Sequence, residues 1–398
     1  MIAMLHRFIG DGFRVFFLAM GVYALFALGF WLLWLFVHWA GGMFTSLPFA
    51  MAPHLWHGHE LIFGYGAAAL AGFLLTAVPN WTGTKAARHL FIGFAALMWL
   101  VGRGAVWYSA ALPAWLVMVA DLAFVPLLML KIAAQLAKRP KPQNVMFLGL
   151  LAIIWASNLM VHLEWMGILD DGAAPGLRAG LYGYCAMIAV LGGRVTPAFT
   201  RNAMIREGYE TGLPVSYRPL ELLGVALAIL LPLAVMAQLP DPIIAALLLA
   251  VGVVQVARVA GWRPGFALRQ PILWSLHVSF ASIGIGFILT GLALLGFGSE
   301  VAGFHVTAIA GVAGMTVAVA SRATLGHTGR PLVAPRVVAM AYGLLPLAAV
   351  LRWTASAWGG AAYYPAVFAA SIAWLAAYGC YTAALWPAFW GPRLTGKE

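Results

Sequence analysis

The residues in this chain best suited to chemistry are its ten histidines. His54, His57 and His59 are clustered, and His162, His277, His305 and His327 lie within or beside long apolar runs. Neutral imidazole is a common ligand for transition metals and for haem iron. Two axial imidazoles can hold a haem between helices, and three suit copper. His57 and His59 are spaced i, i+2, so on a regular helix their side chains diverge by about 200°. They share no metal face unless a helix starts between them. His57 and Glu60 are spaced i, i+3 and do share a face, which places Glu60 to orient an imidazole from behind. The competing reading for each histidine is a hydrogen bond to a backbone carbonyl across helices. His6 and His89 sit near basic segments, and His38 closes an apolar run.

The composition says what must position these residues. Hydrophobic residues make up 63% of the 398 and charged residues 9%, against about 25% charged in soluble domains. Too few charges remain to cover a soluble surface, which excludes a soluble enzyme and a disordered or fibrous chain. The apolar residues must face lipid. The net charge of +11 is dispersed singly or in small groups, so no nucleic-acid partner is expected. Cys185 and Cys380 lie in apolar runs and suggest neither a disulfide framework nor a CxxC metal site. The first apolar run is too long for a signal peptide and has no A-x-A site.

Twelve runs are long enough to cross a bilayer as helices, at about 13–38, 59–79, 90–109, 113–134, 144–165, 178–198, 219–238, 241–260, 271–296, 301–321, 333–351 and 362–386. The expected fold is all-α: a polytopic integral membrane protein forming a single transmembrane domain over residues 1–398. Pro126 and Pro232 fall inside runs and are expected to kink them. The stretch 199–218 is expected to be a loop, and residues 39–58, which lack Lys and Arg, to lie along the outer interface.

Lys and Arg residues flank one side of the alternation. Arg7 and Arg14 precede the first run, and Lys85, Lys138, Arg206, Arg263, Arg330 and Arg393 follow even-numbered ones. The opposite loops hold Asp170, Asp171, Asp241 and Glu300. By the positive-inside rule both termini are cytoplasmic. This orientation sorts the histidines by depth. His54, His57, His59, His162 and His305 form an outer group, whereas His277 and His327 form an inner pair. His305 and His327 are about 33 Å apart along a helix, so they cannot share an ion. Arg103 lies in the outer half of the third run. Buried there it needs a carboxylate or a haem propionate to offset its cost. Arg352 is expected to snorkel. Carboxylates within runs are few: Glu60, Asp121, Glu164 and Glu221.

Glycines such as Gly64, Gly66, Gly72, Gly311 and Gly314 suit close helix packing. Segments 59–83 and 305–329 both run from His to Thr-Gly, but only five positions match. The offset of eight runs fits no six-plus-six duplication, so the echo is read as coincidence.

The string His57-Gly-His-Glu-Leu-Ile-Phe-Gly-Tyr65, continued by Ala-Gly-Phe-Leu-Leu-Thr-Ala-Val-Pro-Asn-Trp-Thr-Gly83, resembles the signature of the NnrS family. Gly193-Arg-Val-Thr-Pro-Ala-Phe-Thr-Arg-Asn202, Leu273-Trp-Ser-Leu-His277 and Arg322-Ala-Thr-Leu-Gly-His-Thr-Gly-Arg-Pro331 extend the resemblance over most of the chain. It implies a polytopic protein of the bacterial inner membrane, associated with haem and copper. It also implies a role in the response to nitric oxide, often alongside denitrification. His57, His59, His277, His305 and His327 then belong to the family pattern.

The leading reading is a haem- and copper-binding membrane protein that protects against nitric oxide or nitrosative stress. A redox enzyme acting on nitric oxide is its narrower form. Scarce carboxylates argue against a proton-coupled reductase deep in the bilayer, but leave catalysis at the outer boundary, where water would reach Glu60 and Glu164. The alternatives are a secondary transporter, for which twelve spans are a common layout, and a haem or metal sensor docking through 199–218. His59 and His305 are the expected axial pair of a haem b, with Arg103 on a propionate. His57 is expected to point away, toward a copper site with His54 or His162. His277 and His327 are expected to approach each other and form a second site or one end of a haem site.

Overall fold

A computed structural model describes residues 2–394. Among these residues twelve helices are long and apolar enough to cross a membrane. They are α1 (Gly12–Trp39), α2 (Pro53–Thr82), α3 (Leu90–Trp107), α4 (Ala114–Leu136), α5 (Pro142–Trp165) and α6 (Ala173–Arg206). There follow α7 (Arg218–Met236), α8 (Asp241–Ala260), α9 (Pro271–Leu294), α10 (Glu300–His327), α11 (Arg336–Trp358) and α12 (Gly360–Trp390). No strand occurs among the described residues. Proline sits in the first turn of α2, α5, α7, α8 and α9, where its missing N–H costs nothing.

Several ends differ from the expected ones. Helix α2 begins at Pro53, so His54 and His57 lie in its opening turns rather than in a loop. Helix α6 continues to Arg206 and shortens the expected loop. His327 is the last residue of α10 instead of lying beyond it. The polar residues of these extensions hid the ends, because apolar runs mark the lipid-facing length and not the whole helix. The connection between α1 and α2 is partly buried: Phe49 and Trp56 stack at 4.8 Å, and Phe30 meets both edge-on.

The described chain forms two compact units. One comprises Met1–Leu181, Ala323–Arg330 and Thr382–Glu398, and the other Tyr182–Arg322 and Pro331–Tyr381. In the first unit α1 packs on α2, and α4 packs on α2 and α5. Arg14, placed by sequence beside a loop, is 3% exposed. Its Nη1 donates to the carbonyls of Ala388, Phe389 and Gly391 at 2.9 Å. A cation there meets the negative end of α12 and its orphan carbonyls. In the second unit α8 packs along α9, and α9 along α10.

Two irregularities position side chains. Helix α4 breaks at Ala123, between the segments Ala114–Leu122 and Phe124–Leu136. Pro126 has no N–H for the Leu122 carbonyl, and Trp155 Nε1 donates to that carbonyl instead, at 3.1 Å. The second irregularity is a π-helical stretch that starts right after a histidine. It covers Glu60–Tyr65 after His59 and Val306–Ala313 after His305. Such stretches are rare and cluster at functional sites. The echo read as coincidence from sequence therefore extends to a rare backbone form at the same register.

Candidate metal centre

The first unit contains a buried polar cluster built on α2, α3, α4 and α5. Helix α2 supplies His59 and Glu60, both 0% exposed. Arg103 comes from α3, Asp121 from α4, just before its break, and Asn158 and His162 from α5, also buried. The i, i+4 spacing sets Asn158 and His162 on one helix face. Gly64, one turn below Glu60, makes room for the arginine. A Cβ there would lie 2.9 Å from Arg103 Nη1 and 2.8 Å from Tyr23 Cε1. Trp99 Nε1 donates to the Gly64 carbonyl at 2.9 Å, which anchors the π turn.

The contacts form one network. Glu60 Oε1 lies 2.7 Å from His59 Nδ1 and accepts from Arg103 Nη1 at 2.5 Å. Arg103 Nη2 forms an ion pair with Asp121. Asp121 Oδ2 lies 2.8 Å from His162 Nε2 and 3.2 Å from His59 Nε2. Asn158 Nδ2 donates to Asp121 Oδ2 at 2.8 Å, and Asn158 Oδ1 lies 2.8 Å from His59 Nε2. The Trp165 ring closes the site, with its centroid 5.1 Å from that of His59 and 4.9 Å from that of His162.

Counting donors shows what this arrangement lacks. Asn158 spends its amino group on Asp121, so its carbonyl oxygen accepts from His59 Nε2. In neutral His59 the lone pair then sits on Nδ1, facing a carboxylate oxygen that is also an acceptor. One guanidinium stands against two carboxylates, so with neutral imidazoles the site carries one uncompensated negative charge. Glu60 Oε2 is buried with no partner among the described residues. Buried acceptors without donors are costly, and a proton or cation beside Glu60 relieves this one; Arg103 Nε and Trp165 Nε1 are buried donors without a hydrogen-bond partner among the described residues.

The spacing also suits a metal ion. One nitrogen from each of His59 and His162 and one Asp121 oxygen all lie within 4.8 Å of one another. Two ligands about 2.1 Å from an ion and at right angles are about 3 Å apart, close to the 2.8 and 3.2 Å separations here. Glu60 on the rear nitrogen of His59 has the orienting role that carboxylates commonly take behind ligating imidazoles.

The remaining expected residues lie elsewhere. His57 does diverge from His59, stacking on Trp31 with centroids 4.6 Å apart. Glu60 therefore backs His59 and not His57. His54 is exposed in the first turn of α2. His162 joins His59 rather than His57. Arg103 meets carboxylates of this chain. Both ring nitrogens of His59 face side chains, so the cluster fits a small ion and not a macrocycle on this imidazole. Water was expected at Glu60 and Glu164, but Glu60 is fully buried, and Glu164 Oε2 accepts from Gly172 and Ala173 N–H at 2.7 and 2.6 Å. His305 belongs to the second unit, and its Nδ1 lies 2.7 Å from the Val301 carbonyl. That bond leaves Nε2 as the lone-pair nitrogen, the usual state of a ligating imidazole. His277, also in the second unit, has its nitrogens 3.0 and 3.2 Å from the carbonyls of Leu273 and Trp262. His327 is exposed in the first unit, 5.6 Å from the Phe13 ring.

Sequence reasoning counted Asp121 only as a scarce intramembrane acid and did not reach Asn158. A lone carboxylate mid-span and a polar residue four positions before His162 were the available signals.

A family model described as NnrS protein matches residues 7–393. The chain belongs to the NnrS family. No match emerges among curated proteins. Membership, with the twelve apolar helices, supports a multi-pass membrane protein of the nitric oxide response, and the His59–Asp121–His162 cluster is its candidate metal site.

Proposed function

We propose that this NnrS protein sits in the bacterial cytoplasmic membrane and protects against nitric oxide through a metal centre at His59, His162 and Asp121. The reading rests on two imidazoles and a carboxylate that lie within coordinating distance of one another and are buried among four helices. His59, His162 and Asp121 would hold the ion, which supplies a coordination position for nitric oxide. Glu60 fixes the ring of His59 through Nδ1, Asn158 holds Asp121 through its amino group, and Arg103 neutralises one of the two carboxylates. Two imidazoles and a carboxylate suit copper(II) or iron(II). Haem b belongs to the same proposal at His305, whose Nδ1 bond orients its ring. Redox turnover of nitric oxide would be the narrower form of this function.

The test is metal and haem analysis of purified protein, with visible spectra before and after nitric oxide. His162→Ala and Asp121→Ala should lose metal and keep the Soret band, whereas His305→Ala should lose the Soret band and keep metal. Unchanged metal content in both cluster variants would overturn the centre. An unchanged Soret band in His305→Ala would overturn the haem assignment.

A further inference from the structure

The second unit carries a cavity that the metal centre does not use. It has a volume of about 510 Å³ and lies where the loop after α6 meets the turn between α8 and α9. Arg263 and Arg269 line it, with Tyr209, Thr211, Met204 and Phe266. No carboxylate is in the lining. Neither arginine has a side-chain hydrogen bond or ion pair among the described residues. Two of the acids near it in sequence are engaged, and the third is not in the lining. Glu207 accepts from Gln270 Nε2 at 2.7 Å, Glu221 pairs with Arg258, and Glu210 lies outside the lining.

The backbone holds the cavity in shape. Arg263 has φ 59° and ψ 54°, a left-handed conformation uncommon for a side chain of this size. Gly212 faces it, itself at φ +63°, and a Cβ there would sit 3.1 Å from Arg263 Nη2. A side chain at position 212 would therefore meet the guanidinium. The Val215 N–H bond to the Gly261 carbonyl, at 2.9 Å, and the Gln270–Glu207 bond tie the loop to the turn. The walls pair two exposed cations with an aromatic edge, the Tyr209 and Phe266 rings being 5.7 Å apart. Leu268, between the arginine-bearing turns, is 69% exposed.

We propose that this cavity binds a phosphate-bearing anion, namely the headgroup of an anionic phospholipid. Guanidinium is suited to phosphate because its planar fork gives two parallel hydrogen bonds. Basic pockets at helix ends on the cytoplasmic side are where such headgroups bind. The exposed Leu268 and the Tyr209–Phe266 wall offer apolar surface to the start of an acyl chain. A soluble phosphate compound shares the headgroup's chemistry, and the experiment separates the two sources.

Full-length protein is purified in detergent and mixed with cardiolipin, phosphatidylglycerol or phosphatidylcholine, and retained lipid is read by native mass spectrometry. Inorganic phosphate and pyrophosphate are tested separately by thermal shift. The native chain should retain the anionic lipids over phosphatidylcholine. The double variant Arg263→Gln, Arg269→Gln should retain about thirtyfold less. Arg201→Gln, an exposed cation at the same helix end but outside the lining, should change nothing. A thermal shift with phosphate alone, lost in the double variant and without lipid preference, would keep the site and assign it a soluble anion. Equal retention by native and double variant, or equal loss in Arg201→Gln, overturns the proposal. A single size-exclusion peak and a native-like unfolding midpoint in detergent show that the double variant is folded.

Discussion

Asp121 is the residue on which the cluster turns. It makes hydrogen bonds or ion pairs with Arg103, Asn158, His162 and His59, which joins three helices at one carboxylate. Its removal leaves Arg103 balanced by Glu60 but strips the acceptor from the buried Asn158 amino group and from one arm of Arg103, at a cost of about 1–3 kcal/mol. Asp121→Ala should therefore destabilise the protein by about that amount, read by denaturant or thermal unfolding in detergent. Asp121→Asn keeps the shape and the hydrogen bonds to neutral donors, so it should unfold closer to the native chain while losing metal. If Asp121→Ala unfolds like the native chain, the ion pair contributes nothing to stability. The sequence pointed to His59 and Arg103 as members of a site because each is an ionisable group in an apolar run. It said nothing of Asp121 meeting both imidazoles, since these residues are far apart in the chain.

At the scale of elements, two departures from regular helix build the site. The π turn at Glu60–Tyr65 and the break at Ala123 each change how side chains rotate about their helix. Helical spacing paired Glu60 with His57, but with the wider turn starting at Glu60 the carboxylate meets His59 and Arg103. Gly64 sits inside the π turn, against Arg103 and Tyr23. Gly64→Ala should cost about 1–3 kcal/mol through overpacking and weaken metal retention. Gly343→Ala on α11 is the matched control, because a Cβ there meets nothing within 4 Å. It should be neutral or stabilise by about 0.5–1 kcal/mol, the ordinary gain of alanine over glycine in a helix. Equal unfolding midpoints for the two variants would mean that the close approach at Gly64 carries no strain. Pro126 did announce the α4 break, and the structure adds Trp155 as the donor that satisfies the freed carbonyl.

For the whole molecule, the orientation is an expectation from the sided distribution of Lys and Arg in the sequence, which predicts cytoplasmic termini. Reporter fusions near residues 140, 210 and 265 should read cytoplasmic, and fusions near 170 and 300 periplasmic. A periplasmic signal near 210 would invert this topology and would also move the arginine cavity to the other face.

The class of molecule was legible from composition alone, because burial in lipid demands apolar runs of a set length whatever their partners. Twelve consecutive features of that kind need no tertiary information: each run satisfies its own backbone. The histidine-bearing string at 57–65 and the motifs after it carried the resemblance that the match over residues 7–393 bears out. Only the tertiary structure decided which imidazoles meet. His162 joins His59, and His57 turns to Trp31, because rotation at a π turn and at a helix break depends on packing against neighbours. Charge burial is decided in the same way. Arg103 needed a partner on any reading of the sequence, but Glu60 and Asp121 reach it only once α2, α3 and α4 are packed. That pairing across three helices is a non-local balance of desolvation and attraction, which no local pattern of residues encodes.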